Sequence, residues 1–133
     1  DKNMLQPLLT EDLCKLIFEN SEYTEIQIYL LACLQEAKRK NISHQDLAAE
    51  LSKKYSQSEW LKMLKIPLEL IPTLDLDSKM ILGHLFLEHM REPEFSQYHK
   101  EVLFALIHSL CAHTTYQTSF LVNQLLGIRL LTQ

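Results

Sequence analysis

The chain has 133 residues, of which 47% are hydrophobic and 23% are charged, and its formal net charge is −4. A chain of this length and composition can bury a core of its own as one domain, which excludes an intrinsically disordered protein. It contains two glycines, whereas average usage of about 7% would supply roughly nine. Because the tight turns of all-β folds favour glycine, the composition predicts an all-α fold.

Hydrophobic spacing predicts four helices in the first half of the chain. The first covers residues 7–18 and the second residues 23–40. The third begins after Ser43 and ends near Tyr55, and a short fourth helix begins after Ser58. Serine is expected at both starts because its hydroxyl oxygen can accept a hydrogen bond from an amide of the first turn.

Two prolines, Pro67 and Pro72, interrupt the apolar stretch over residues 66–76. Proline disfavours α geometry in the residue before it, so we expect an extended connector here. Its apolar side chains would dock it on the core: Leu68, Leu70, Ile71 and Leu74. The connector divides one domain into two helical halves, residues 7–65 and 77–131.

Three helices are predicted in the second half of the chain. The first starts at Asp77 or Ser78 and ends near Arg91, the second covers residues 95–112, and the third ends near Leu131. Apolar residues occupy more than one face of the first of these helices, which predicts that other helices cover it on several sides. The fold class is therefore predicted to be a compact, irregular bundle of six or seven helices. A fragment of an α-solenoid is the alternative, although no fixed period relates the helices.

The three cysteines, Cys14, Cys33 and Cys111, lie within apolar helical stretches. An odd number at wide spacing does not suggest a disulfide framework, and free thiols indicate a reducing compartment. We therefore expect an intracellular protein, of the cytoplasm or the nucleus. The chain begins at Asp1 without an initiator methionine, and we expect it to be a domain of a longer protein.

Histidine and its neighbours offer one arrangement that could bind a metal. His84 and Glu88 are four residues apart, and His108 and Cys111 are three apart. Neighbouring antiparallel helices could bring these four side chains together as zinc ligands. The His-Glu-x-x-His and Cys-x-x-Cys patterns of common zinc sites are missing, however. The sequence therefore favours histidines without a metal and predicts no cofactor.

Sequence patterns of catalysis are also missing. There is no Gly-x-Ser-x-Gly elbow for a nucleophile and no glycine-rich loop that would hold a phosphate. The sequence therefore predicts no catalytic residues and a protein that is not an enzyme. It indicates no small-molecule substrate either.

Basic residues are concentrated between Lys38 and Lys65, where seven basic and three acidic residues give a net charge of +4. This segment is predicted to form two helices around a short turn, which loosely resembles a helix-turn-helix. A nucleic acid would then be contacted by five side chains: Arg39, Lys40, Lys53, Lys54 and Lys62. The overall pI of about 5.8 is far below that of dedicated nucleic-acid-binding domains, so this hypothesis is the alternative.

Apolar residues outside the main stripe of the last helix indicate an interaction surface. Phe120, Leu121 and Leu125 belong to the stripe expected in the core, whereas three others lie off it: Val122, Leu126 and Leu130. Together with Leu87 on the outer face of the helix that begins at Asp77, they predict contact with another protein or with a second copy of the chain. The leading hypothesis is a non-enzymatic helical protein-protein interaction module, or scaffold, within a larger intracellular assembly.

Overall fold

The computed structural model describes residues 13, 15–17, 19, 24–113 and 115–131, and the side chains of all of these except 24–27, 30, 31 and 128–131. This part of the chain forms a compact all-α bundle without a β-strand, which confirms the predicted fold class. Most of the predicted helix over residues 7–18 lies outside the described residues, as does Cys14. Of its described residues, Leu13, Leu16 and Ile17 are helical and buried in the core.

Six α helices and one 3-10 helix follow in the described residues. In chain order they are α1 (Thr24–Lys40), α2 (His44–Ser52), α3 (Gln57–Met63), the 3-10 helix (Leu68–Thr73), α4 (Leu76–His89), α5 (Gln97–Leu110) and α6 (Tyr116–Leu131). The central helix is α4, which packs against α2, α3, α5 and α6. Its residues are buried on most sides, which confirms the prediction that other helices cover it. Because α2 and α4 come from opposite sides of the connector, the two predicted halves share one core.

Polar side chains cap the helices at their amino ends. Ser43 caps α2 by accepting a hydrogen bond from an amide of the first turn, as predicted. The helix α3 begins after Ser56, because Ser56 and Glu59 form a reciprocal capping box. A capping box at Ser58 would need a glutamate or glutamine three residues later, but that position is Leu61, whose side chain cannot form a hydrogen bond. The predicted start after Ser58 is therefore wrong.

The carboxyl end of α1 is a Schellman motif. The Ile42 amide donates to the Ala37 carbonyl (2.9 Å) and the Asn41 amide donates to the Lys38 carbonyl (3.3 Å). Asn41 has a φ of 55°. Asparagine tolerates this left-handed conformation better than most residues, so the chain turns here without a glycine. The turn brings α2 back along α1.

The connector is a 3-10 helix over Leu68–Thr73 that includes Pro72, whereas the prolines predict an extended conformation. The Leu74 amide donates to the Ile71 carbonyl (3.2 Å), a hydrogen bond that spans Pro72 and needs no amide hydrogen from it. The prediction of an extended conformation is therefore wrong. Docking through Ile71 is confirmed, since this residue is fully buried, but Leu68 is 37% exposed.

Two buried histidines bind polar groups inside the bundle. His89 is 2% exposed, its Nε2 lies 3.0 Å from Ser52 Oγ, and its Nδ1 is hydrogen-bonded to Gln57 Oε1. His99 is 1% exposed, and its Nε2 lies 2.6 Å from the Leu61 carbonyl oxygen. Burial lowers the pKa of both imidazoles, to about 4 for His89. Both are therefore neutral core residues at physiological pH.

Candidate interaction site at the amino end of α6

Two aromatic side chains on α6 face the solvent side by side. Tyr116 is 80% exposed and Phe120 is 52% exposed. They are one helical turn apart, and their rings stack with centroids 6.2 Å apart and an angle of 20° between the planes. We call these two residues the aromatic pair. Large apolar side chains that cluster on a surface, rather than occurring singly, mark a place where another molecule binds.

The opposite side of α6 holds this helix against the bundle. Leu121 and Leu125 are fully buried, and so is Thr118, whose hydroxyl donates to the Thr115 carbonyl (2.8 Å). Thr115 Oγ1 in turn accepts a hydrogen bond from the Thr118 amide (3.2 Å). Positions 118, 121 and 125 follow helical spacing and define the inner face. The aromatic pair consequently points outward.

The four residues predicted to contact a protein partner lie in different environments. Leu126 is 39% exposed and belongs to the outer surface of α6. Val122 is 8% exposed and packs in the core, so it is not available to a partner. Leu87 is half-buried against the core. Leu130 lies in α6, but its side chain is outside the described residues.

The prediction that Phe120 belongs to the buried stripe of α6 is wrong, and the sequence pattern therefore does not reveal the aromatic pair. The hydrophobic pattern places Phe120 in the core with Leu121 and Leu125, whereas in the structure Thr118 occupies that face. A threonine counts as polar in such a pattern, although it is easily buried once its hydroxyl bonds to the preceding turn. The spacing of positions 118, 121 and 125 was the signal that could have placed Tyr116 outside.

A cleft of about 520 Å³ lies where the amino ends of α2, α4 and α6 meet the carboxyl end of α1. Its floor is apolar: Leu34, Ala37, Ile42, Leu47, Leu76, Met80 and Ile81. Its rim is polar: Lys38, Asn41, Ser43, His44, Asp77, Thr115 and Gln117. The buried Thr118 also lines the cleft. The volume is within the range of ligand-binding pockets, roughly 300–1,000 Å³. Thr115, Gln117 and Thr118 line the cleft, whereas Tyr116 and Phe120 do not belong to its lining.

A histidine–aspartate pair joins α2 to α4 at the rim of the cleft. His44 Nε2 lies 2.9 Å from Asp77 Oδ1, and this hydrogen bond lowers the pKa of Asp77. Catalytic triads combine such a pair with a serine or cysteine nucleophile. Within the part of the chain that the structure describes, no hydroxyl or thiol is hydrogen-bonded to His44. The pair therefore acts as a link between two helices.

Lys38 contributes a positive charge to the rim of the cleft. Its neighbours Arg39 and Lys40 both pair with Glu36, at 2.7 and 3.0 Å. These two contacts lower the pKa of Glu36 to about 2. No carboxylate among the described residues pairs with Lys38. Its charge is therefore open to a ligand in the cleft.

The basic residues of the nucleic-acid hypothesis differ in their partners and in their positions. Lys54 lies over the ring of Tyr29, 5.4 Å from its centroid. Arg39 follows Tyr29 by ten residues of α1, a distance of about 15 Å along the helix axis. Lys53 is paired with a glutamate one turn before it (2.9 Å). Lys62 is exposed on α3.

The residues considered as zinc ligands are not brought together. Within the described ranges, no group of three or more His, Cys, Asp or Glu side chains is close enough to hold a metal ion. His84 is half-buried on α4, whereas His108 and Cys111 are exposed at the end of α5. The convergence of four ligands from two helices is therefore not found in this part of the chain.

Comparison with known proteins gave no relative of this chain. No protein-family model, no curated protein and no solved structure matches it. Of the helices in the described residues, none combines the length and the hydropathy that crossing a membrane requires. We therefore infer function from the geometry of the aromatic pair and the cleft.

Proposed function

We propose that this chain is a non-enzymatic helical module that binds a protein partner within a larger intracellular assembly. The exposed aromatic pair on α6 is the observation that supports the proposal most strongly. Aromatic residues are enriched at the centres of protein interfaces, where their large apolar surface leaves water. The partner is another protein or a second copy of the chain, and α6 presents the contact surface.

The aromatic pair can contribute part of the free energy of an interface. A buried aromatic side chain covers about 150–250 Å², and apolar burial contributes about 25 cal/mol per Å². Complete burial of what Tyr116 and Phe120 now expose would contribute on the order of 5 kcal/mol before the costs of association. The exposed Leu126 on the same helix adds to this surface.

The packing of α6 against the bundle also supports the proposal. Its inner face is buried in the core through Leu121 and Leu125, and its first turn is held by hydrogen bonds between Thr115 and Thr118. The stacked rings of the aromatic pair further restrict each other. A contact surface that is already ordered loses less conformational entropy when a partner binds.

The cysteines support the intracellular part of the proposal. Cys33 is half-buried and Cys111 is exposed, and both are free thiols. An exposed thiol persists most readily in a reducing compartment. The cytoplasm and the nucleus both provide this condition.

Nucleic-acid binding through the basic segment is the alternative. Arg39, Lys40 and Lys53 are engaged with glutamates, and those carboxylates compete with phosphates for the same positive charge. Arg39 lies about 15 Å along the axis of α1 from Tyr29, the residue that Lys54 contacts. Both features favour the protein partner.

Site-specific photo-crosslinking tests the proposal. Benzoylphenylalanine replaces Phe120 in the full-length protein, in the cells that make it, and replaces Lys62 on α3 in a matched control. Both positions are exposed. We expect a crosslinked protein adduct at position 120 and none at position 62. The mass of the adduct distinguishes a second copy of the chain from another protein.

A substitution at Leu126, on the same helix, tests whether the crosslink depends on the surface of α6. Leu126→Asp should remove the adduct at position 120, because a carboxylate placed in an apolar interface is costly to desolvate. Circular dichroism of this variant should show unchanged helical content, since Leu126 is 39% exposed. Equal crosslinking at positions 120 and 62, or none at 120, would contradict the proposal.

A further inference from the structure

The outer face of α6 carries four residues at the spacing by which two helices pack side by side. Tyr116, Phe120, Asn123 and Gly127 follow one another at steps of four, three and four residues. At 3.6 residues per turn they lie on one side of the helix, opposite its buried inner face. Helices that pair in coiled coils use this spacing for their contact residues. We call these four residues the outer stripe.

Packing within the described residues does not explain the glycine at position 127. The other glycine of the chain, Gly83, is explained by the bundle, because a Cβ atom there would collide with Leu121. At Gly127, no atom of the described part of the chain lies within 4 Å of an added Cβ atom. A glycine inside a helix costs about 1 kcal/mol relative to alanine. The open space at Gly127 therefore suits the close approach of another molecule.

The outer stripe belongs to a part of the chain without formal charge. Residues 102–128 contain no Asp, Glu, Lys or Arg. Two copies of a chain with a net charge of −4 repel each other, but their outer stripes can meet without bringing like charges together. A charged partner surface would lose its hydration against α6 and find no opposite charge there. Each of the other α helices exposes a charged side chain, as do Glu36, Glu50, Lys62, Glu88 and Glu101.

We infer that the partner is a second copy of this chain, bound by antiparallel contact between the outer stripes of the two α6 helices. This inference rests on the proposed function, because it names the partner of the same surface. In an antiparallel pair the first position of a stripe faces the last position of the other. Tyr116 of each copy therefore lies over Gly127 of the other, and Phe120 of each copy faces Asn123 of the other.

The outer stripe supplies its own complement. The ring of Tyr116, which is 80% exposed, is at one end, and the open space beside Gly127 is at the other. These positions are about 16 Å apart along the helix axis, and a two-fold axis midway between them exchanges the two ends. Large residues packed opposite small ones fill an interface without strain. A parallel pair would instead place Tyr116 against Tyr116 and leave the space at both glycines unfilled.

The size of this contact determines how strong the association is. It involves about three turns of one helix from each copy. Stable protein interfaces bury about 1,200–2,000 Å², and smaller ones are typical of weak, reversible association. The two copies therefore separate on dilution, and the aromatic pair is exposed to water in a dilute solution of the chain.

Sedimentation equilibrium of the purified chain tests the inference. We expect a monomer–dimer equilibrium that changes little between about 50 and about 500 mM salt, because the contact contains no charge. Gly127→Ala should weaken the dimer about tenfold or more, since its methyl group occupies the space of the Tyr116 ring. Gln117→Ala is the control, because Gln117 is exposed on α6 to the side of the outer stripe. Urea unfolding in dilute solution should show that Gly127→Ala does not destabilise the monomer.

A double-mutant cycle tests the antiparallel register. Tyr116→Ala should also weaken the dimer about tenfold, because it removes the largest exposed ring of the contact. Gly127→Ala should have little further effect in the Tyr116→Ala background, since the ring that its methyl group obstructs is gone. Additive effects of the two substitutions would show that positions 116 and 127 do not face each other, and would overturn the inference.

Other results would overturn it too, and they are distinguishable from failure of the proposed function. One is a chain that remains monomeric at about 1 mM, and another is a dimer that Gly127→Ala leaves unchanged. If crosslinking is specific to position 120 but the adduct contains a different protein, the second copy is wrong and the interaction module stands. If crosslinking is equal at positions 120 and 62, the proposed function is wrong whatever the sedimentation shows.

Discussion

Gly83 of α4 lies directly beneath Leu121 of α6. A Cβ atom at position 83 would stand 2.5 Å from Cδ2 of Leu121, closer than van der Waals contact allows. Leu121 is fully buried, so it has little room to turn away. Through this contact α6 packs against the central helix with Leu121 facing inward. The aromatic pair lies on the opposite side of α6 and therefore faces outward.

Gly83→Ala should lower the free energy of unfolding by up to about 2 kcal/mol. Overpacking a core costs about 1–3 kcal/mol, and the better helix propensity of alanine offsets about 1 kcal/mol of that. Gly127→Ala is the matched control on α6, because nothing lies within 4 Å of the Cβ it would add. Urea unfolding should show Gly127→Ala to be as stable as wild type or more so. A Gly83→Ala variant that gains stability like Gly127→Ala would show that the two helices are not in close contact.

Stability should fall in mild acid because of His89. Its ring lies against Trp60, with centroids 5.7 Å apart, and its pKa falls from 6.5 to about 4 because burial penalises the charged form. Between these two pH values the unfolded chain binds more protons than the folded chain, so the free energy of unfolding decreases as the pH falls from 6.5 to 4. A shift of this size corresponds to roughly 3 kcal/mol. The pKa values of His84 and His99 are lowered too, and these residues add to the effect in the same direction.

The contribution of His89 is measured by urea unfolding across this pH range. His89→Gln should unfold with a flatter pH dependence than wild type, because the main titrating group is gone. His108→Gln is the matched control, since it makes the same change at an exposed position of α5. If the free energy of unfolding of His89→Gln falls in acid as steeply as that of wild type, other groups cause the loss of stability.

Replacing Asn41, in the turn after α1, with alanine or with glycine should have different effects on the free energy of unfolding. Asn41 has a φ of 55°, and the left-handed conformation costs roughly 1 kcal/mol or more for a residue with a Cβ. Asn41→Ala should therefore lower the free energy of unfolding by about 1 kcal/mol. Asn41→Gly should be as stable as wild type or slightly more so. Equal stability of the two variants in urea unfolding would mean that the Schellman motif is not formed in solution.

Fluorescence anisotropy with labelled DNA and RNA addresses the nucleic-acid alternative. We expect no strong binding at either about 50 or about 200 mM salt, because glutamates occupy several of the basic residues. Binding that weakens steeply with salt, and that is lost when Lys53 and Lys54 are changed to glutamate, would reinstate the alternative. Glu36→Gln would then be expected to strengthen binding, since it releases Arg39 and Lys40.

The all-α bundle could be predicted because few glycines and helical apolar spacing are properties of the chain itself. The start of α3 could also have been predicted, since Ser56 and Glu59 have the spacing of a capping box. The 3-10 helix at Pro72 could not, because its conformation depends on burying Ile71 in a core assembled from distant segments. The side of α6 that faces the core could not be predicted either. The reason is that the buried Thr118 counts as polar in any hydrophobic pattern.

The cleft could not be predicted from the sequence either, for a different physical reason. Its floor and rim come from α1, α2, α4 and α6, and their juxtaposition depends on helix packing rather than on local pattern. The sequence groups Lys38 with the other basic residues between 38 and 65. In the structure Glu36 pairs with Arg39 and Lys40, whereas no carboxylate among the described residues pairs with Lys38, Lys54, Lys62 or Lys65.

Hydroxyl-radical labelling of the aromatic pair tests the central proposal most directly. Oxidation of Tyr116 and Phe120 is measured by mass spectrometry in the isolated chain and in the assembly inside cells, with Tyr98 on α5, which is 38% exposed, as the internal reference. If α6 is the contact surface, Tyr116 and Phe120 are labelled in the isolated chain and protected in cells, while Tyr98 is labelled equally in both. Labelling of Tyr116 and Phe120 that is as strong in cells as in the isolated chain would contradict the proposal.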